Sequence, residues 1–254
     1  MVTLHGDQCS GHYLQALIEA RNDWRDLRDF KNQLPHDYVC PQAIRTPIPE
    51  ELYPTAFIRD RAIAYLSEPA TGPRFTFVSF PDPHHPFTPP GKYWDMYHPD
   101  QFEIECPYGA HRNPPPHLTA ALEKLQDGSR QVNVQNSFMA TDLEIREARA
   151  LTAGMITMVD DAIGDILATL EASGEIDNTI IIFTSDHGDY LGDLNMLLKG
   201  PNPRRSVNNV PFIWADPRDG TASRRDDLAS AIDIAPTLLA AAGCTPYYLS
   251  LIHI

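Results

Sequence analysis

Two consecutive residues, Asp186 and His187, combine a carboxylate and an imidazole, both of which are common ligands of divalent metal ions. They follow the apolar, β-branched run TIIIFT at 179–184, and Gly188 after them permits a sharp turn. This order predicts that both side chains point into a crevice beyond the end of a strand. A helix cap followed by an ordinary loop histidine fits the same short motif, so both interpretations stay open at this point.

Basic side chains on two other segments are candidates for contacting an anion. His84 and His85 lie in PDPHHPF, where prolines restrict the backbone and can fix an imidazole that donates to an anionic oxygen. Lys199 precedes Gly-Pro, and Arg204 and Arg205 follow it. Each of these residues alone is also compatible with an exposed turn or a solvated charge.

Two further acids, Asp189 and Asp193, follow the Asp-His pair. Their spacing does not match the calcium loop of an EF-hand. We therefore expect them to be solvated or to cap a turn.

The elements that must position these residues alternate between helical and strand patterns. A long proline-rich loop is predicted between 81 and 116. Helices are predicted at 11–30, at 55–67 with Thr55 as N-cap, at 141–172, and at 233–242 with Asp233 as N-cap. Strands are predicted at 75–80, 179–184 and 210–214. The alternation indicates an α/β domain with a largely parallel sheet, whose ligands gather beyond the carboxyl ends of the strands.

Composition limits the classes of partner. The chain has 254 residues, 43% of them hydrophobic, which is enough for a substantial core. Its 34 acidic and 20 basic side chains give a net charge of −14, which argues against binding nucleic acid or an anionic membrane. A small anionic substrate remains compatible with a local cluster of cations. The cysteines, which are far apart and form no CxxC, predict neither a zinc site nor a redox pair: Cys9, Cys40, Cys106 and Cys244.

The two ends of the chain carry their own expectations. The start lacks a basic segment leading into an apolar run, so we expect a soluble chain without an export signal as written. The chain is then cytoplasmic, or exported if a preceding segment is missing. The apolar tail at 244–254 ends without a polar cap and is expected to be truncated or artificial.

Four stretches together resemble the sulfatase family of the alkaline-phosphatase superfamily, and most closely its branch with phosphonate monoester hydrolases. They are VSFPDPHHPFTPP, TMVDDAIGDILATL, NTIIIFTSDHGDYLGD with LLKGP, and VPFIWADP followed by AIDIAPTLLAAAG. The resemblance implies a partial α/β/α sandwich with a largely parallel central sheet. It places the later part of the catalytic domain at 49–243, after a variable segment at 1–48 and before the tail.

The same resemblance implies roles for individual residues. Asp186 and His187 would be metal ligands, normally for Ca²⁺ and in some relatives for Mn²⁺ or Zn²⁺. His84 and Lys199 would hold the sulfuryl or phosphoryl oxygens, and the lysine or the histidine would assist the leaving group. Arg205 is a further candidate for contacting the substrate, because it follows Lys199 closely and could join it in a local cationic patch. Metal and cations would neutralise oxygens on which negative charge builds during displacement.

The sequence also departs from the family pattern. Members carry acidic metal ligands toward the N-terminus and a C-x-P-S-R-type motif, whose cysteine becomes the formylglycine nucleophile; neither is found here. Cys40 is followed by Pro-Gln-Ala-Ile-Arg, so we assign no nucleophile. Leu194 stands where relatives often have a histidine.

We therefore expect an N-terminally incomplete sulfuric ester hydrolase of the sulfatase type. A phosphonate monoester or phosphodiester hydrolase of the same superfamily is the alternative among enzymes. A noncatalytic fragment that binds an anion or a metal is the alternative from another class.

Overall fold

The computed structural model describes residues 11–132, 136–200, 204–220 and 222–244. The chain forms two compact units: the first runs to Thr179 and resumes over His187–Val210, and the second comprises Ile180–Asp186 and the segment from Pro211 onward. The helices are α1 (His12–Ala20), α2 (Trp24–Arg28), α3 (Pro54–Ser67), α4 (Pro116–Gln126), α5 (Asp142–Ser173), α6 (Arg205–Asn208) and α7 (Ile234–Ala241). The strands are β1 (Phe138–Met139), β2 (Ile181–Thr184), β3 (Met196–Leu197) and β4 (Phe212–Ala215).

Helix α5 is the central element of the first unit, and it confirms the long helix predicted at 141–172. Thr141 and Glu144 form a capping box at its start, and Gly174 ends it with φ 73°, a left-handed conformation that glycine adopts at little cost. Its apolar stripe is almost fully buried at Ile145, Leu151 and Met155. The predicted spacing of three and four residues therefore marks the face that forms the core.

Helix α3 packs against the second half of α5 through Ala62, Leu66, Ile166 and Leu170. The prediction that Thr55 caps α3 is wrong. Tyr53 is the residue before the helix, and Pro54 occupies the first turn, where its missing N–H costs nothing.

The predicted strand at 75–80 is not formed. Val78 and Phe80 pack beside the α3–α5 cluster, whereas Phe75 and Phe77 are 74% and 81% exposed. A strand needs a neighbour to complete its backbone hydrogen bonds, and no other described segment pairs with this one. The alternating pattern is therefore present, but only one face is covered.

The sheets differ from the predicted parallel arrangement. The described residues form two two-stranded antiparallel sheets, β1 with β3 and β2 with β4. Parallel pairing among them is limited to a single bridge between Ala43 and Phe87. A parallel central sheet is thus not confirmed, because β-branched composition predicts a strand but does not specify its partner or its direction.

The second unit contains β2, β4 and α7. In the β2–β4 ladder Ile181 lies opposite Ala215 and Thr184 opposite Phe212. The prediction that 179–184 is covered on both faces is wrong, because Phe183 is 39% exposed and Thr184 is exposed as well. Helix α7 follows a short 3-10 turn, so the helix predicted at 233–242 is confirmed within a residue at each end.

The remaining predictions concern the N-terminal helix and the long loop. The helix predicted at 11–30 is divided into α1 and α2, and Arg21 lies in the break in an extended conformation. The segment at 81–115 is irregular apart from three short 3-10 turns, as predicted. None of the helices among the described residues combines the length and apolar character needed to cross a membrane.

One buried ion pair fixes the start of α5. The Arg130 guanidinium donates to both carboxylate oxygens of Glu144, at 2.8 and 2.7 Å, and to the Met139 carbonyl at 2.9 Å. Burial alone would raise the pKa of Glu144, but the hydrogen bonds from Arg130 and Thr141 outweigh it and lower that pKa. The pair therefore connects α5 to the segment leading into β1.

Replacing Arg130 by Met should lower the free energy of unfolding by about 3 kcal/mol, because it leaves a buried carboxylate without its charge partner. Urea denaturation followed by circular dichroism measures this change. Arg21→Met is the matched control: its ion pair with Asp23 is exposed, so the midpoint should not move. Equal losses in the two variants would contradict a special role for the buried pair.

Candidate active site

The segment that follows β2 turns back on itself beside α6. The Gly188 N–H donates to the Val207 carbonyl at 2.7 Å, and a Cβ on Gly188 would overlap the carbonyl oxygen of Ser206. Glycine is therefore required here by close packing of two backbones. Farther along, the Tyr190 N–H donates to the Leu198 carbonyl at 2.8 Å, which brings the start and the end of the segment 187–200 together.

The turn between these two ends has an unusual backbone. Leu191, Leu194, Asn195 and Leu198 all have positive φ, between 41° and 66°. Each such non-glycine residue costs about 1 kcal/mol, and backbone strain of this kind concentrates at functional sites. Packing holds the turn in place: Leu194 is 5% exposed, and Leu198 is fully buried.

The turn brings His187 and Lys199 into direct contact. His187 Nε2 lies 2.9 Å from Lys199 Nζ, and His187 Nδ1 lies 2.8 Å from the Gly188 carbonyl oxygen. An ammonium group can only donate, so Nε2 accepts, and the proton of the neutral imidazole is on Nδ1. This tautomer satisfies both hydrogen bonds at once.

Asp189 adds a carboxylate to this pair. It accepts a hydrogen bond from the Leu191 N–H at 3.0 Å. Burial raises the pKa of Asp189 to about 6, against the opposite effects of Leu191, Lys199 and His187. The expectation that Asp189 is solvated or caps a turn is confirmed by the cap on the Leu191 N–H.

His84 lies in the loop at 81–90. Its Nδ1 is 2.5 Å from the carbonyl oxygen of His85, and the two imidazole rings stack with their centroids 4.1 Å apart. The His84 N–H donates to the Pro81 carbonyl at 3.0 Å. The imidazole is therefore held on a tightly turned backbone, as the prolines predict.

A partly buried carboxylate, Asp82, connects that loop to the start of α3. Asp82 accepts hydrogen bonds from the Thr55 hydroxyl at 2.5 Å and from the Tyr53 hydroxyl at 3.1 Å. Thr88 contacts the same Tyr53 oxygen at 2.8 Å. Burial raises the pKa of Asp82 to about 6 even though both hydroxyl groups lower it. Sequence reasoning missed this group, and its only signal was an acid between two prolines.

The two arginines are placed differently from His187 and Lys199. Arg205 is exposed in the first turn of α6 and forms no ion pair with any described residue. Arg204 lines an open cavity of about 310 Å³ with Cys106, His111, Arg112 and Asp193. The described contacts therefore give the predicted role of Arg205 no support.

Cys40 is unsuited to act as a nucleophile. It is 3% exposed, and burial raises the pKa of its thiol to about 12. The nucleophile is the thiolate, so almost none of the reactive form is present near neutral pH.

The described residues alone do not make up a metal site. They contain no group of three His, Cys, Asp or Glu side chains that could hold an ion. Asp186 is exposed and belongs to the second unit, and His187 Nε2 accepts from Lys199 in the first. Two donors fall short of the six to eight oxygen ligands that Ca²⁺ takes or the four of a zinc site.

Comparison with known proteins identifies the family. The family model described as Sulfatase matches residues 8–244, nearly the whole chain. The chain belongs to the sulfatase family. The resemblance of the four motifs is thereby confirmed.

Several relatives of this sulfatase-family chain are known. It is 32% identical over 214 residues to the multifunctional alkaline phosphatase superfamily protein PehA of Trinickia caryophylli, covering 80% of this chain and 41% of PehA. It is 32% identical over 195 residues to an arylsulfatase of Clostridium perfringens, covering 75% of this chain and 38% of that enzyme. The chain thus spans less than half the length of these relatives.

A solved structure shares the fold. The phosphonate monoester hydrolase of Agrobacterium radiobacter superimposes with a TM-score of 0.74 at 26% identity, covering 96% of this chain and 49% of that enzyme. The described residues therefore adopt a fold of the sulfatase and alkaline-phosphatase type.

Asp82→Asn should flatten the pH dependence of the free energy of unfolding between about pH 4 and pH 6. The pKa of Asp82 rises from its ordinary value of 3.8 to about 6 on folding, so the folded chain retains a proton that the unfolded chain releases. Stability due to this group is therefore greatest below the lower pKa and falls as pH rises through the window, by about 3 kcal/mol.

Urea denaturation at several pH values measures this slope. Asp189 contributes a slope of the same sign, and it is present in both proteins, so the difference between wild type and variant isolates Asp82. Parallel curves for the two proteins would contradict the assignment.

Cys40 should resist alkylation by iodoacetamide at about pH 8 in the folded chain. With a thiol pKa of about 12, its thiolate fraction is about a thousandfold below that of an ordinary cysteine. Cys106 is the internal control, because it is exposed and should be labelled rapidly. Mass spectrometry of the digested protein distinguishes the two, and labelling of both sites at similar rates would rule out the inert thiol.

Proposed function

We propose that this chain carries the anion-binding part of a sulfatase-type hydrolase, whose reaction is the hydrolysis of a sulfate monoester to an alcohol and sulfate. The observation that carries the proposal is the contact between His187 and Lys199 on a strained, buried turn. The match to the Sulfatase family over residues 8–244 supports it. The substrate is accordingly a small anionic ester.

The proposed work of these residues is electrostatic. The Lys199 ammonium supplies a positive charge for the sulfuryl oxygens. The Nδ1 proton of His84 is donated to the His85 carbonyl, so His84 supplies a hydrogen-bond donor to the anion through Nε2 in its protonated, imidazolium form. Negative charge grows on these oxygens and on the leaving oxygen during displacement, so donors fixed in advance stabilise the transition state more than the ground state. Lys199 or His84 would also donate a proton to the leaving alcohol.

The proposed metal ligands remain Asp186 and His187. Their donor types suit Ca²⁺, or Mn²⁺ or Zn²⁺ in the manner of some relatives, and the ion would supply positive charge beside the ester oxygens. His187 Nε2 can bind a metal only if the Lys199 ammonium leaves it, because one lone pair serves one partner. Further ligands must come from outside the described set.

Inorganic sulfate is the probe that tests the anion site. We expect Lys199→Met to weaken sulfate binding at least about tenfold, because it removes the charge and keeps most of the apolar stem. Isothermal titration at low ionic strength measures the dissociation constant. The control is Lys124→Met, an exposed lysine on α4 for which no side-chain contact is described, and which should leave binding unchanged. Equal affinities for wild type and Lys199→Met would refute the site.

A phosphonate monoester or phosphodiester hydrolase is the second candidate. It is favoured by the superposition on the phosphonate monoester hydrolase of Agrobacterium radiobacter. Sulfate and phosphonate monoesters are both tetrahedral monoanions, so the same cations serve both. Competition of methyl sulfate against a methyl ester of methylphosphonic acid in the titration decides which group the site prefers.

The noncatalytic alternative predicts binding without turnover. We expect the 254-residue chain to lack formylglycine-dependent hydrolysis of 4-nitrophenyl sulfate, because its sequence lacks the C-x-P-S-R-type motif and Cys40 is buried. Release of 4-nitrophenol by purified protein, abolished in Cys40→Ala, would overturn this expectation. Turnover that survives Cys40→Ala would indicate a nucleophile other than formylglycine at this position.

A further inference from the structure

The loop that carries His84 is attached to the body of the first unit on both sides of the imidazole. Asp82, two residues before His84, accepts from Thr55 and Tyr53. Thr88, four residues after it, contacts the same Tyr53 hydroxyl. One pair of hydroxyl groups at the start of α3 therefore holds both ends of the segment 82–88.

The directions of these hydrogen bonds follow from the chemistry of the groups. An ionised carboxylate only accepts, so the Thr55 hydroxyl donates to one oxygen of Asp82 and the Tyr53 hydroxyl to the other. The Tyr53 proton is then used, so the Thr88 hydroxyl must donate to the Tyr53 oxygen. Each bond thus requires the next one, and Asp82 is the acceptor that orients the whole chain of hydroxyl groups.

A second attachment involves the backbone of Phe87. Its N–H donates to the Gln42 carbonyl at 2.8 Å, and its carbonyl accepts from the Ile44 N–H at 3.1 Å. The Phe87 ring is 1% exposed in the main core cluster. Residues 82, 87 and 88 are thereby fixed. His84 and His85 lie in the short segment between them, which is held at both ends.

We propose that Asp82 is a positioning residue for His84: the carboxylate, through Thr55, Tyr53 and Thr88, fixes the segment that sets the place and the tautomer of the His84 ring. The inference rests on the proposed function in one respect, that His84 contacts the anion. Nothing in the network touches the anion itself. Loss of the network releases the loop and reduces the fraction of molecules whose imidazole is already oriented for binding.

The test uses a matched pair at Thr55. Thr55→Val removes the hydroxyl and keeps the shape, and Thr55→Ser keeps the hydroxyl. Tyr65→Phe, an exposed tyrosine on the same helix, is the control outside the network. The readouts are the imidazole ¹H–¹⁵N spectrum, with His84 assigned by His84→Asn, and the dissociation constant of inorganic sulfate.

We expect wild type, Thr55→Ser and Tyr65→Phe to show His84 as one sharp set of signals with the proton on Nδ1, donated to the His85 carbonyl. Thr55→Val should broaden or shift these signals and weaken sulfate binding about three- to tenfold. The His187 ring, on another segment, should keep its spectrum. This last readout separates positioning from general destabilisation, because general destabilisation would change the signals of both histidines.

The proposal is overturned if the His84 spectrum of Thr55→Val matches wild type, or if His84 and His187 change in parallel. Should Thr55→Val fail to fold, Thr88→Val replaces it, since it removes only the outer hydroxyl and is judged by the same criteria. If wild type binds no sulfate, the proposed function fails. The positioning role is then decided by the His84 spectrum alone.

Discussion

Burial of α5 is the constraint on which the first unit depends. The helix places two carboxylates in the interior along with its apolar stripe. Glu144 is held by Arg130, and Glu147 accepts from the N–H groups of Val39 and Cys40 at 2.9 and 2.7 Å. Burial raises the pKa of Glu147 despite these bonds. The interior acids therefore act as attachment points for irregular segments that could not otherwise be held against a helix.

The candidate site is attached to the same helix. Arg149 on α5 donates through Nε to the Leu191 carbonyl at 2.7 Å and through Nη1 to the carbonyl of Glu103. It thus joins the strained turn to the proline-rich loop. Backbone carbonyl groups in irregular segments need such donors, because no ladder satisfies them. The Arg149 hydrogen bond and the burial of Leu194 and Leu198 offset the cost of the unfavourable φ angles.

The helices were the more predictable part of the fold, and the reason is local. The spacing of Leu151, Met155 and Ile166 records which face of α5 is buried, so sequence alone reveals both the helix and its stripe. Strands depend on partners far away in sequence. Phe75–Phe80 has the composition of a strand and forms none, and TIIIFT pairs antiparallel with β4 although its pattern suggested a covered parallel strand.

The candidate site also has a part that sequence predicts and a part that only the fold reveals. Motif order identifies His187 and Lys199 as candidates, and the structure places them 2.9 Å apart, while their roles stay predictions. Asp82 was not recognised, because its importance lies in burial and in hydroxyl neighbours that no local pattern records. Arg205 was included from proximity in sequence, yet its exposed place on α6 gives it no described partner. Spacing identifies donors, whereas only the fold shows which carboxylates are withdrawn from water.

The close packing of Gly188 against α6 helps to set the distance between His187 and Lys199. His187 is joined to Gly188, and Gly188 rests on the backbone of Ser206 and Val207, so α6 fixes the height of the imidazole. Lys199 is fixed independently by Leu197 and Leu198 in the core. The distance between the imidazole and the ammonium group is therefore set by two separate attachments, one to α6 and one to the core. A substitution that shifts α6 would alter that distance without changing a residue that touches the pair.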